Sequence, residues 1–400
     1  MLAFDDARAR LLADVASFSG ERVTLSEALG RVLAVDLVAR EPLPLFDYSA
    51  MDGYAISAAN LKGGGPWKLL VSGESRAGRP APELAPETAC RIFTGAPIPK
   101  HADAVVMQEN TSRNGDSLHF GTRPTPGQHI RRAGEDLARG TIALPAGARL
   151  TAGALALAAM LDQSELLVAR RPCVTIVCTG DELRAPGSKA FPASIPESNS
   201  VALGALAQQA GATVRSMPIV RDEPSATRRA IEQALDGTDV LLTVGGVSVG
   251  EHDLVRGALE QAGVRLDFWK VAIKPGKPLV VGRGPKAHVL GLPGNPASAL
   301  VTFALFGMPL LRTMQGDGRA LPMPLMGRLS AARKRSADRL ELARATLRIA
   351  EGGLSIHAHD NQSSGAATSL AESDGLAFLP PGIGPLDAGA AVEFVRWSDT

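Results

Sequence analysis

Between residues 172 and 312 the apolar pattern changes period again and again, and this alternation limits the fold more than any other feature of the chain. Short apolar runs at Val174–Cys178, Val214–Val220, Val240–Val244, Leu279–Val281 and Val289–Leu292 are separated by helical stretches at 199–210, 225–235, 253–262 and 297–312. A strand covered on both faces reads as a continuous apolar run, and a parallel neighbour needs a long crossover, usually a helix. The pattern predicts a parallel, doubly wound α/β domain, with Pro309 and the Gly316–Gly318 segment marking its exit.

Ligands of such sheets sit beyond the carboxyl ends of the strands. Asp239–Val244 runs there into Gly245-Gly-Val-Ser-Val-Gly250, followed by Glu251-His252-Asp253. Lys274-Pro-Gly-Lys-Pro278 follows Phe268-Trp-Lys270, and Gly291-Leu-Pro-Gly-Asn-Pro296 precedes an Ala/Leu-rich helical run. Thr179-Gly-Asp-Glu-Leu183 and Arg221-Asp-Glu-Pro224 complete the edge. Taken singly, each is also an ordinary turn or helix start, and the glycine loop matches neither a P-loop nor a strict dinucleotide fingerprint. Taken together they expose backbone N–H groups beside Lys270, Lys274 and Lys277, which suits an anion. The carboxylates Asp181, Glu182, Asp222, Glu223, Glu251 and Asp253 would repel that anion unless a divalent cation lay between them. The edge thus predicts a phosphoanhydride substrate handled with Mg²⁺.

The rest of the chain divides by composition. Residues 3–17 read as an amphipathic helix, and a capping box at Thr24 and Glu27 opens a second. Residues 41–140 are rich in Gly, Pro and short apolar runs and predict an inserted β-rich module. Thr151 starts an Ala/Leu helix to about Leu161, so 1–40 and 141–168 form a helical region flanking the module. Short alternating runs from 319 to 400 predict a small C-terminal β-barrel, which leaves 169–318 to the α/β domain. The expected fold is therefore multidomain α/β. With 42 basic and 41 acidic residues and 4% aromatics, the chain offers no basic surface or stacking platform for nucleic acid. The three cysteines have no CxxC spacing, and no apolar run approaches a membrane span, so a cytoplasmic protein without a membrane partner is expected.

Within the module, Asp52 sits in a Met-Asp-Gly turn, Thr94 precedes Gly95, and Arg131-Arg-Ala-Gly-Glu-Asp136 closes the segment. Ser49-Ala-Met-Asp-Gly-Tyr-Ala55, Thr94-Gly-Ala-Pro97, Val106-Met-Gln-Glu109, Gly134-Glu-Asp136 and the α/β loops above form an ordered set. That set, which spans nearly the whole chain, resembles the molybdenum-insertion family, the molybdopterin molybdenumtransferases related to the gephyrin E domain. The resemblance implies an elongated helical region, an inserted β module, a molybdopterin-binding α/β domain and a C-terminal barrel. It also implies a homodimer in which the module of one subunit overhangs the α/β domain of the other. The implied reaction inserts molybdenum from molybdate into adenylylated molybdopterin with Mg²⁺-dependent release of AMP.

Carried over by position, Asp52, Glu182, Asp222, Asp253, Lys270 and Lys274 would be catalytic, with Glu182, Asp222 and Asp253 as the candidate metal ligands for Mg²⁺. Thr94, Arg131, Asp136, Gly245, Gly246, Ser248, Gly250, Lys277, Pro293, Asn295, Pro296 and Ser363 would bind substrate, with Ser364 an equal alternative to Ser363. Pro196-Glu-Ser-Asn199 and His252 depart from the family pattern without removing a named acid or lysine. A molybdopterin adenylyltransferase and apo-molybdoenzymes are the implied protein partners. The competing readings are an adenylyltransferase built on the same α/β core and a non-catalytic scaffold.

Overall fold

The computed structural model describes residues 1–246 and 254–399. Its chain forms two compact units, one of 1–35, 146–151 and 165–400, the other of 36–145 and 152–164.

The centre of the first unit is a six-stranded sheet. In chain order its elements are β1 (Cys173–Cys178), α1 (Asn199–Gln209), β2 (Thr213–Ser216), α2 (Pro224–Leu235), β3 (Val240–Val244), α3 (Leu254–Gln261), β4 (Arg265–Lys270), β5 (Pro278–Arg283) and β6 (His288–Leu292). The strands lie in the order β2-β1-β3-β6-β5-β4. β2, β1, β3 and β6 are parallel, whereas β5 runs against both neighbours. The sequence places Leu279–Val281 among the parallel strands, and the structure corrects that. Only 284–287 join β5 to β6, far short of a crossover, so a hairpin is the one connection available. β4 is reversed a second time and again points with the parallel set, which brings its end at Lys270 to their carboxyl edge. The run Val214–Val220 is also shorter as a strand: pairing stops at Ser216, and Val220 adds a single bridge to Thr179.

Alternate residues of the strands serve two cores. Val174, Ile176, Val240, Leu242, Leu290 and Leu292 pack with α1, with the long helix after β6 and with the N-terminal helix Phe4–Leu12. Val177, Leu241 and Val289 pack on the other face with Ile231 of α2 and Val255 and Leu259 of α3. The helix after β6 runs unbroken over Pro296–Met314, so Pro309 does not end it. A wider turn at Phe303–Gly307 absorbs the proline's missing N–H. This helix is apolar and long enough to cross a membrane, but its most apolar window is 83% buried, which makes it the core helix of the domain.

Near the N-terminus two expected helices shrink. The first ends at Leu12, and the capping box at Thr24 and Glu27 is present but opens a single turn, Leu25–Glu27. Long-range pairing overrides local propensity there. Gly20–Thr24 forms an antiparallel ribbon with Glu165–Ala169, and Val32 and Leu33 bridge to Arg149 and Val168. In the second unit the helix Ala152–Met160 does form, beside a six-stranded sheet whose core includes Tyr54, Ile56, Trp67, Leu118 and Phe120. At the C-terminus, strands Leu325–Leu329, Leu340–Ala350, Gly353–Ala358, Gly375–Leu379 and Ala391–Arg396 close into the expected barrel. Pairing of Leu340–Ala350 with Gly375–Leu379 completes the ring.

Candidate active site

β1 and β3 are adjacent, but the chain leaves β1 for α1 on one face and β3 for α3 on the other. Crossovers that diverge in this way open a crevice at the strands' carboxyl ends. A cavity of about 490 Å³ lies there, lined by Thr179, Gly180, Glu182, Asp222, Gly245, Gly246 and the first turns of α2 and α3. The glycines are required by the geometry. Gly245 has φ +87° and a Cβ would stand 2.8 Å from the Thr179 carbonyl oxygen, while on Gly246 (φ +63°) it would stand 2.7 Å from Val255. Thr179 N–H bonds the Val244 carbonyl at 3.1 Å and Gly180 N–H that of Val220 at 3.1 Å, so the acid-bearing loop is fixed to the sheet end.

Of the predicted acids, Glu182 and Asp222 therefore share one cavity. Asp222 N–H also donates to the Asp181 carboxylate at 3.3 Å. Partial burial, with Asp181 and Glu182 as like-charged neighbours, raises the Asp222 carboxyl above its ordinary value. Ser248, Gly250, Glu251, His252 and Asp253 lie outside the described residues. Among the described residues no three His, Cys, Asp or Glu side chains are placed to hold a metal ion. Two carboxylates in one cavity nonetheless suit Mg²⁺, which takes one or two carboxylates and completes its shell with water and phosphate oxygens.

The lysine loop reaches the same edge through the reversed strands. Lys270 and Lys277 are exposed and have no carboxylate partner among the described residues. Lys274 does have one. Ile273–Lys274 pairs with Leu340–Glu341 of the barrel, and its Nζ lies 3.3 Å from the Glu341 carboxylate. The Gly291–Pro296 loop adjoins the glycine loop, since Gly294 faces the Gly245 Cα. Asn199, at the start of α1, donates its side-chain N–H to the Gly294 carbonyl at 2.8 Å. Asn295 precedes the helix that begins at Pro296, and Ala297 N–H bonds the Ser364 carbonyl at 3.0 Å. The barrel loop carrying Ser363 and Ser364 is thereby held at the α/β edge.

Sequence reasoning missed the residue that shapes this loop. Arg344 is 0% exposed and has no carboxylate partner among the described residues; burial alone lowers its pKa from the ordinary value. It donates to the Ser369 hydroxyl at 2.8 Å and to the Asn361 and Ser363 carbonyls at 3.2 and 2.9 Å. Its position inside a run of alternating strand residues hid it, because one arginine at an inward register position carries no motif. The divergent Glu197 also has a structural role. It is buried and accepts from the Ser200 N–H at 2.9 Å at the start of α1. Burial and the nearby Glu197 raise the pKa of Cys178, so that thiol stays neutral.

In the second unit the module residues form their own cluster. Strand Tyr48–Ser49 pairs with Ile130–Arg131, and Ser49 exchanges backbone bonds with Gly95 and Ala96. Asp52, Thr94 and Arg131 thus lie on neighbouring segments. Asp52 Oδ1 accepts from the Thr94 N–H at 2.7 Å and its hydroxyl at 2.9 Å, and these bonds lower its pKa. Gly53 must be glycine, because a Cβ would stand 2.0 Å from the Val106 carbonyl oxygen. Arg131 is ion-paired to Glu135 at 2.7 Å. Asp136 donates its backbone N–H to the Leu43 carbonyl at 3.0 Å.

Three family models match in order along the chain: the MoeA N-terminal region (domains I and II) at 2–161, a probable molybdopterin binding domain at 175–313 and the MoeA C-terminal region (domain IV) at 326–397. The molybdopterin molybdenumtransferase of Haemophilus influenzae is 36% identical over 397 residues, covering 98% of each chain. That of Synechococcus elongatus is 38% identical, covering 98% of this chain and 99% of its own. A molybdopterin biosynthesis MoeA crystal structure from Pyrococcus horikoshii superposes with a TM-score of 0.85 at 29% identity, covering 99% of this chain and all of the other. A multidomain chain with an α/β crevice and a closed barrel, matched from end to end by these relatives, belongs to the molybdopterin molybdenumtransferase family, transferases of molybdenum cofactor biosynthesis.

Proposed function

We propose that this enzyme inserts molybdenum from molybdate into adenylylated molybdopterin and releases AMP in a Mg²⁺-dependent step. The observation that carries the reading is the crevice between β1 and β3. It holds Glu182 and Asp222, and the lysine loop stands on the same sheet edge. Glu182 and Asp222, with Asp253 as a further candidate, would hold Mg²⁺, which when bound would neutralise charge on the phosphoanhydride. Lys270, Lys274 and Lys277 would counter the charge of molybdate and of the transferring phosphate. Lys274 would do so by exchanging its Glu341 partner for substrate. Gly245, Gly246, Ser248 and Gly250 would line the pterin or phosphate path, and Pro293, Asn295 and Pro296 would shape the wall that Ser363 or Ser364 completes. Arg344 would act as a positioning residue for that wall.

The module supplies the other half in this reading. Asp52, Thr94, Arg131 and Asp136 would meet the α/β edge of a second subunit in a homodimer. Exposed apolar residues support such an interface: Leu45, Phe46 and Met51 flank Asp52, and the cross-strand partners Val38 and Ile142 are both exposed. The same reading keeps the four-part division at 1–40 with 141–168, 41–140, 169–318 and 319–400, and a cytoplasmic location. Purified protein given adenylylated molybdopterin, Mg²⁺ and molybdate is expected to release AMP and to yield cofactor that activates an apo-molybdoenzyme. Tight ligand binding without AMP release would establish a scaffold instead.

A further inference from the structure

Thr227 lies one turn into α2, is 1% exposed, and lines the cavity that holds Glu182 and Asp222. Its hydroxyl is buried and has no hydrogen-bond partner among the described residues. None of the other described residues lining this cavity has a buried polar atom in that condition. A helical threonine normally donates its hydroxyl to the carbonyl three or four residues back. Thr227 makes its backbone bond to Glu223 at 2.9 Å, yet its hydroxyl does not join it. Buried polar groups without partners destabilise a protein, and valine would fill the same volume with no polar atom. The position therefore carries a hydroxyl that no described residue of the ligand-free protein uses.

The surroundings define the missing partner. Of the first turn of α2, only Pro224, which has no N–H, and Thr227, whose N–H is bonded to Glu223, line the cavity, so the Thr227 hydroxyl is the donor that this turn offers there. A free hydroxyl proton calls for an acceptor oxygen. A helical threonine has two accessible rotamers, and exchange between them swaps hydroxyl and methyl without moving the helix.

We propose that Thr227 is a substrate-binding residue of this cavity, its hydroxyl donating to an acceptor oxygen of the adenylylated pterin. The proposal rests on the functional reading above. A phosphate oxygen of the adenylyl group and the carbonyl oxygen of the pterin share the required chemistry, and separate probes distinguish them.

Binding of AMP and of unadenylylated molybdopterin to the full-length protein, measured by calorimetry, tests this in wild type, Thr227→Val and Thr227→Ser. Thr227→Val is expected to weaken one of the two about three- to tenfold, the change that loss of one neutral hydrogen bond produces. Thr227→Ser keeps the hydroxyl and should bind as wild type. Ligand-free Thr227→Val should melt no earlier than wild type, since it removes an unsatisfied buried group. Weakened AMP binding assigns the phosphate, and weakened pterin binding assigns the pterin. Unchanged affinities for both, in a variant whose wild type binds, overturn the role of Thr227 alone. Failure of the wild type to bind either probe overturns the functional reading together with it.

Discussion

Asp52 in the module and Asp222 at the α/β edge were both expected to serve one reaction, yet their surroundings push them in opposite directions. Asp52 is held below its ordinary pKa by the Thr94 N–H and hydroxyl, and its Oδ1 shapes the Thr94 turn. Asp222 is raised by partial burial and by two acidic neighbours, against which a backbone hydrogen bond from Asp181 acts. One carboxylate is held in the Thr94 turn; the other stands in a cavity beside two like charges. From this difference different tasks are expected: Asp52 to organise a loop, and Asp222 to meet a cation or a proton.

Charge removal gives the largest separation. Asp222→Asn and Glu182→Gln should each lower the rate of AMP release at least about 100-fold while pterin binding persists. Asp52→Asn keeps the Oδ1 that Thr94 uses, so turnover should fall by less than about tenfold. Equal losses for Asp52 and Asp222 would break the comparison, because Asp52 would then be using its charge in the reaction. Arg344→Ala removes the donors that hold 361–363 and should cut turnover by more than about tenfold. Amide exchange at 361–365 should rise at the same time, and unchanged exchange there would remove Arg344 from its positioning role.

A smaller effect comes from the far edge of the same sheet. Burial and the Arg283 guanidinium push His288 down to about 4. Its folded pKa lies below the unfolded value near ~6.5, so its contribution to stability is complete above that pH and is lost as pH falls toward 4. The melting temperature of the wild type should therefore drop between pH 7.5 and 5. His288→Gln should shrink that drop by on the order of 2–4 °C. An equal drop in both proteins would show that His288 does not couple to folding.

Much of this architecture was legible because it repeats locally. Continuous apolar runs separated by helical stretches announced the α/β sheet, and the glycines at 245 and 246 marked a loop with no room for a side chain, pressed on the Thr179 backbone at Gly245 and on the Val255 side chain at Gly246. Positions whose state depends on distant chain were misread. Thr24–Glu27 carries a genuine capping box, yet pairing of Gly20–Thr24 with Glu165–Ala169 limits the helix to one turn. Leu279–Val281 looks like any buried strand, and only the short connection to β6 reverses it. That reversal is what brings the lysine loop to the acid-bearing edge.

The sequence by itself determined the element types, the glycine-rich loops and the family, because these follow from local periodicity and from an ordered set of short motifs. Tertiary structure alone decided which acids share a cavity, that Lys274 meets Glu341, and that Arg344 and the hydroxyl of Thr227 are buried without a full set of partners. Partnership and burial depend on residues tens to hundreds of positions apart, and no local pattern encodes whether a polar atom finds its complement.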